Sequence, residues 1–175
     1  IGFFGALFYT TFLPYKYKGL GPPFVFFLMG PLMVLPAWYI QGAEGFWTPL
    51  LASLPVGCMV AGILHGNDLR DIGYDNSAGI STPASGLGLS GSIILYKALY
   101  VGAYLILGAL VLFKVLDYFA LLPLLALPPV YKTLRGLNAQ SERSRIQSLE
   151  LTSGKLHFLF GLLLTLGVAI SIFVR

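Results

Sequence analysis

The sequence predicts an all-α fold: a multi-pass transmembrane helical bundle with about five full spans and the end of one more. Three observations predict it. Of 175 residues 57% are hydrophobic and only 10% charged, with a mean hydropathy of +0.81; soluble domains carry about a quarter charged residues, so this chain cannot cover itself with polar surface in water. Its apolar runs approach the length that crosses a bilayer core of about 30 Å. Its basic residues gather in alternate connections, as the positive-inside rule requires.

The elements follow in order. Residues 1–13 are apolar but about half the length of a span, with no starting Met, basic n-region or small-residue cleavage site. They read as the tail of a helix, and residues 1–175 as one integral-membrane domain from the C-terminal part of a longer protein. Residues 14–23 form a turn-rich basic loop holding Lys16 and Lys18. Pro31 and Pro36 predict a kinked span over 24–40. After a short connection bearing Glu44, Trp47 marks an interface and a span runs to residue 65. The glycine- and serine-rich tract 77–92 is too long for a tight turn and reads as a lid-like loop. Spans follow over 93–113, over 118–131 (interrupted by Pro123, Pro128 and Pro129) and over 154–174, with a polar stretch at 132–153. Lys16, Lys18, Arg70, Lys132, Arg135, Arg143 and Arg145 then share one side, read as cytoplasmic, leaving Lys114 and Arg175 opposite. The lone Cys58 permits no intrachain disulfide and suits buried packing. A net charge of +4 is ordinary for such a chain and gives no reason to expect a nucleic-acid partner.

The chemistry concentrates at residues 65–82. Three of the seven acidic residues, Asp68, Asp71 and Asp75, stand there with Asn67. At about 100° per residue these four fall within roughly a 100° arc of a helix. Carboxylates so crowded repel one another, and a divalent cation among them resolves the repulsion. Hard oxygen donors suit Mg2+, which typically takes one or two carboxylates plus phosphate and water. Arg70 flanks the same face, where its guanidinium can fork onto a phosphate. The bland alternative is a solvated acidic loop capping two helices.

With Lys16 and Lys18 one loop away, the set suits a diphosphate, and a membrane setting suits a lipid diphosphate. The implied reaction is ionisation of a C–O bond with diphosphate leaving as a magnesium complex. Ten Tyr and thirteen Phe include aromatic faces able to stabilise an allylic cation.

The same residues resemble a known family, the UbiA-type intramembrane aromatic prenyltransferases, and within it the 1,4-dihydroxy-2-naphthoate polyprenyltransferase branch of menaquinone synthesis. The resemblance rests on Tyr9-Thr10, Tyr15-Lys16-Tyr17-Lys18-Gly19-Leu20-Gly21, Gly30-Pro31-Leu32 and Ser53-Leu54-Pro55-Val56-Gly57. It continues through His65-Gly66-Asn67-Asp68-Leu69-Arg70-Asp71-Ile72 and Asp75-Asn76-Ser77-Ala78-Gly79-Ile80 to a final helix at 156–166. It implies that Asn67, Asp71 and Asp75 hold metal and diphosphate, with Asp71 and Asp75 catalytic and Asp68 a further acidic neighbour. Arg70, Lys16 and Lys18 would touch the diphosphate. The implied partners are a polyprenyl diphosphate, an aromatic acceptor and the lipid bilayer. The implied location is a bacterial inner membrane with the active-site loops cytoplasmic.

The family's first aspartate-rich loop has no counterpart here, which implies that this chain alone is inactive. Many relatives also carry a basic residue and Thr-Leu after the glycine, where this chain has Ile80-Ser81-Thr82-Pro83, and that bears on substrate identity. Another quinone precursor such as 4-hydroxybenzoate remains an alternative acceptor. A cation transporter is a reading from another class, but its carboxylates belong near mid-span rather than at span ends. A phosphatidyl-transferring enzyme would need an Asp-Gly-x-x-Ala-Arg run, which is absent. His65 reads as a hydrogen-bonded histidine at a helix end, His157 as a packed one, and Asp117 as an N-cap.

Overall fold

A computed structural model describes residues 19–138, 140 and 143–174. Helices α1 (Gly21–Met29) and α2 (Pro31–Ile40) meet at Gly30. Gly30 leaves helical geometry at φ −97°, ψ −100°, and Pro31 opens α2 at a position where no amide donor is required. The kink expected from the prolines therefore falls at the Gly30–Pro31 junction, while Pro36 lies within α2. Gly30 is also where this arm crosses α3: a Cβ there would stand 3.1 Å from the Ser53 carbonyl oxygen and 3.2 Å from the Gly57 Cα.

Helix α3 (Trp47–Ser77) has 31 residues. At about 1.5 Å per residue it reaches roughly 46 Å, well beyond a hydrocarbon core of about 30 Å. The apolar part, 47–64, suffices to cross, and the polar part continues as helix past it. The acidic stretch, expected to follow a span ending at residue 65, is thus a helical extension. It ends at Gly79 (φ +67°), where Ile80 N–H donates to the Asp75 carbonyl at 2.9 Å and Gly79 N–H to that of Asn76 at 3.4 Å, the paired bonds of a Schellman stop.

The expected lid over 77–92 is not what the structure shows. Only residues 78–82 connect α3 to α4 (Pro83–Leu112). Thr82 Oγ1 accepts from Ser85 N–H at 3.1 Å, and Ser85 Oγ accepts from Thr82 N–H at 2.8 Å. That capping box, with Pro83 at the first helical position, offsets the weak helix propensity of the glycines and serines. Gly88 (φ +67°) interrupts the helix without ending it.

The span expected over 118–131 is divided into a 3-10 helix (Tyr118–Ala126) and α5 (Leu127–Arg135). Asp117 caps the 3-10 helix, accepting from Phe119 N–H at 3.3 Å. At about 2.0 Å per residue for the first part and 1.5 Å for the second, the pair reaches roughly 31 Å. It runs along α7 (Leu149–Val174), from Phe119 against Gly167 at one end to Gly136 against Arg145, in the short helix α6 (Arg143–Gln147), at the other. Among the described residues, four helical segments (Gly21–Ile40, Trp47–Ser77, Pro83–Leu112 and Leu149–Val174) are long and apolar enough to cross a membrane.

Helix α3 occupies the centre, with α4, α7 and the α1–α2 arm packed on it. Met59, Leu69, Tyr96, Tyr100, Leu107 and Phe160 form its fully buried core, and the free Cys58 is buried beside them, as its sequence setting suggested. Ile94, Leu105, Phe158 and Ile172 are exposed, as expected of side chains that face lipid rather than water. Trp38, Tyr39, Phe46 and Trp47 are exposed at the end away from the acidic stretch, where amphipathic rings suit a bilayer interface.

Candidate active site

Asn67, Asp71 and Asp75 follow one another at four-residue intervals along the projecting turns of α3, with Asp68 beside Asn67. The geometry expected of this face is present, but its members sit in different surroundings. Asp68 and Asp75 are each only 8% exposed, whereas the Asp71 side chain is 41% exposed. A buried carboxylate is costly unless charge or hydrogen bonds compensate it. Asn67 Oδ1 is buried without a hydrogen-bond partner.

Arg70 forks onto its neighbour: Nε donates to Asp71 Oδ1 at 2.8 Å and Nη2 to Asp71 Oδ2 at 2.7 Å, a bidentate pair. Its remaining arm, Nη1, donates to Glu150 Oε2 in the first turn of α7. The guanidinium expected to meet a phosphate thus clasps Asp71 and ties the projection to the next helix.

His65 is fully buried, and its Nε2 lies 3.0 Å from the Ser92 carbonyl oxygen. A carbonyl can only accept, so Nε2 carries a proton and donates it. Nδ1 faces Asp68 Oδ2 at 3.8 Å, too far for a hydrogen bond. Behind this face, Tyr96 of α4 and Ser153 of α7 share a buried hydrogen bond of 2.7 Å. Gly66 lets that pair approach: a Cβ there would stand 3.2 Å from Ser153 Oγ and 3.4 Å from Tyr96 Cε2.

Asn67, Asp68, Arg70, Asp71 and Asp75 thus share one projecting helix end. Among the described residues no three His, Cys, Asp or Glu side chains converge on a point that could hold a metal by themselves. Lys16 and Lys18 lie outside the described residues. Gly19, next in sequence to Lys18, donates its N–H to the Ser81 carbonyl at 3.0 Å, just past the end of α3. An apolar cavity of about 370 Å³ opens beside this junction, lined by Pro22, Phe26, Cys58, Ala61, Leu95 and Leu99 among others.

Sequence reasoning missed three participants. Glu150 lay unremarked within the polar stretch 132–153, and its partner is 80 residues away. Ser92 and Ser153 gave no signal, because a serine in a glycine-rich tract or at a helix start looks like any other.

Residues 1–162 match the model of the UbiA prenyltransferase family. The chain belongs to that family. It is 31% identical over 170 residues to UbiA prenyltransferase domain-containing protein 1 of Homo sapiens, covering 97% of this chain and 48% of the relative. It is 33% identical over 156 residues to the protein of that name from Dictyostelium discoideum, covering 89% of this chain and 46% of the relative. The homolog from Drosophila melanogaster is 31% identical over 162 residues, covering 93% and 44%. The chain spans about half the length of these curated relatives. They carry the UbiA likeness without singling out the dihydroxynaphthoate branch, and they are eukaryotic, so they lend no support to the expected bacterial inner membrane. An integral-membrane protein of this family is what the apolar helices and the family match together support.

Proposed function

We propose that this chain contributes the second of two acidic faces at which a polyprenyl diphosphate ionises and its prenyl group passes to an aromatic ring. The observation that carries the reading is the helical face itself. Two nearly buried carboxylates, an orphaned amide oxygen and the Arg70–Asp71 fork stand together at the end of a membrane-crossing helix. Hard oxygen donors short of a complete cage suit Mg2+, which takes one or two carboxylates and completes its shell with phosphate and water. Asn67, Asp68, Asp71 and Asp75 are the residues that would hold it. When bound, the ion neutralises diphosphate oxygens and favours their departure.

The chain's own groups account for the rest. Arg70, once it lets go of Asp71, offers a planar fork to a diphosphate oxygen, and Lys16 and Lys18 add point charges. As the C–O bond breaks, its electron pair leaves with diphosphate. The allylic cation attacks the ring, a C–C bond forms, and the ring proton is lost. The apolar cavity beside the Gly19–Ser81 junction is suited to the first isoprene units, and neighbouring aromatic faces to the cation.

The acceptor we favour is 1,4-dihydroxy-2-naphthoate, a menaquinone precursor, with 4-hydroxybenzoate or another quinone precursor as the alternative; the acidic face would meet the cytoplasm. The test supplies this chain together with a first aspartate-rich loop, in membranes with a labelled polyprenyl diphosphate and each acceptor in turn, with Mg2+ or with EDTA. Label should move to one aromatic acceptor only when Mg2+ is present. No transfer to any aromatic acceptor, or transfer indifferent to EDTA, would refute the reading. Cation flux through liposomes without transfer would favour a transporter.

A further inference from the structure

The basic residues of the polar stretch build a second, separate site. Between the end of α5, α6 and the first turns of α7 lies a cavity of about 290 Å³, lined by Lys132, Gly136, Leu137, Arg145, Leu149 and Thr152 among others. It opens on the opposite flank of α7 from Glu150. Residues 145, 149 and 152 share a face of the helical turns there, and Glu150 stands about 100° away from Leu149 toward Arg70.

The cavity is built for an anion. Arg145 Nη1 leans over Gly136, 3.4 Å from its carbonyl oxygen. A Cβ at residue 136 would stand 2.9 Å from that nitrogen, so the guanidinium lies directly over the glycine. Among the described residues neither Lys132 nor Arg145 has a carboxylate within 4.0 Å. The hydroxyls of Thr133 and Ser148 already donate to the Pro129 and Arg145 carbonyls. Two cations and the Thr152 hydroxyl remain as donors for an incoming group.

Its position says what kind of anion. The floor is apolar, with Leu137 and Leu149 buried. The membrane-crossing helix α7 starts at Leu149. On α5, exposed Tyr131 immediately precedes Lys132 and exposed Leu127 lies five residues before it, an aromatic residue and a cation placed as at a bilayer interface. The two cations therefore stand where apolar surface gives way to polar surface, the level of a phospholipid headgroup. Basic pockets between membrane helices bind such headgroups. We propose that Lys132 and Arg145 hold the phosphate of an anionic phospholipid, with its acyl chains lying along α5.

The test uses the protein in nanodiscs of phosphatidylcholine alone or with phosphatidylserine, and native mass spectrometry to count retained lipid. Phosphatidylserine should be retained in preference to phosphatidylcholine. Lys132→Gln and Arg145→Gln should each weaken its retention about fivefold, the worth of one cation near the surface. Arg143→Gln, an equal loss of charge at an exposed neighbour outside the cavity, should change it less than twofold. Equal losses from all three would overturn the proposal in favour of diffuse surface charge. If millimolar inorganic phosphate added to the phosphatidylserine discs abolished the lysine and arginine effects, the source would be free phosphate and the lipid assignment would fail. Helical content by circular dichroism should be the same in all variants, since both side chains are exposed; a loss of helix in Lys132→Gln and Arg145→Gln would mean they act through the fold and would overturn it too.

Discussion

Replacing Gly167 with alanine should loosen the contact that joins the 3-10 helix to α7. A Cβ at 167 would stand 2.1 Å from the Phe119 carbonyl oxygen, 2.8 Å from its carbon and 3.2 Å from the Ala120 Cα. All three are backbone atoms, so no rotamer change relieves the overlap, and the 3-10 helix must move outward by about 1 Å. Overpacking of this kind typically costs about 1–3 kcal/mol, and the backbone contact puts Gly167→Ala at the upper end. Gly161 lies two turns earlier on the same helix with nothing within 4 Å of its would-be Cβ. Gly161→Ala should be neutral or stabilising by up to about 1 kcal/mol, the helix-propensity gain of alanine over glycine. The assay is SDS-induced unfolding in bicelles, followed by circular dichroism. The two variants should differ by about 2 kcal/mol or more. Equal midpoints would refute the close approach of Phe119 to α7, and with it the antiparallel course of the two elements.

Other outcomes follow from the site. With a first aspartate-rich loop supplied alongside this chain, Asp71→Ala should abolish Mg2+-dependent prenyl transfer while membrane insertion persists, read by transfer of label and by membrane fractionation; a variant that kept most of its rate would not carry a metal ligand there. Lys18→Ala should raise the concentration of prenyl diphosphate needed for half-maximal rate more than it alters acceptor choice. Glu150→Gln should change stability by less than about 1 kcal/mol, since its pair with Arg70 is largely exposed. By freeing one arm of Arg70 it should lower the prenyl diphosphate requirement; a higher requirement would mean that Glu150 aims Arg70 at the substrate. Thr82→Ala should cost about 1 kcal/mol through loss of the helix cap and speed amide exchange in the first turn of α4.

The broad architecture and the acidic face were readable in the sequence because each rests on local pattern. Apolar length gave the crossing helices, and the spacing of Asn67, Asp71 and Asp75 gave a shared face. What escaped was decided by partners remote in sequence or by short capping signals. The acidic stretch suggested a helix end because its carboxylates repel. Yet the Arg70 fork offsets the charge on Asp71, and the Schellman bonds at Gly79 and Ile80 place the stop four residues beyond Asp75. The 77–92 tract suggested a lid by composition, while Thr82-Pro83-Ala84-Ser85 carried a helix start. The division of 118–135 into two helix types follows from packing on α7 through Gly167, which no local pattern around Pro123 announces.

The central claim is that the carboxylates of α3 hold a divalent ion together with a diphosphate. It is tested most directly by electron paramagnetic resonance of Mn2+, an octahedral oxygen-seeking stand-in for Mg2+. The ion is titrated into the membrane-embedded protein with and without a prenyl diphosphate. The account predicts bound Mn2+ that requires the diphosphate for tight binding and is lost in Asp71→Ala and Asp75→Ala. Mn2+ binding unchanged in both variants, or indifferent to the diphosphate, would contradict it.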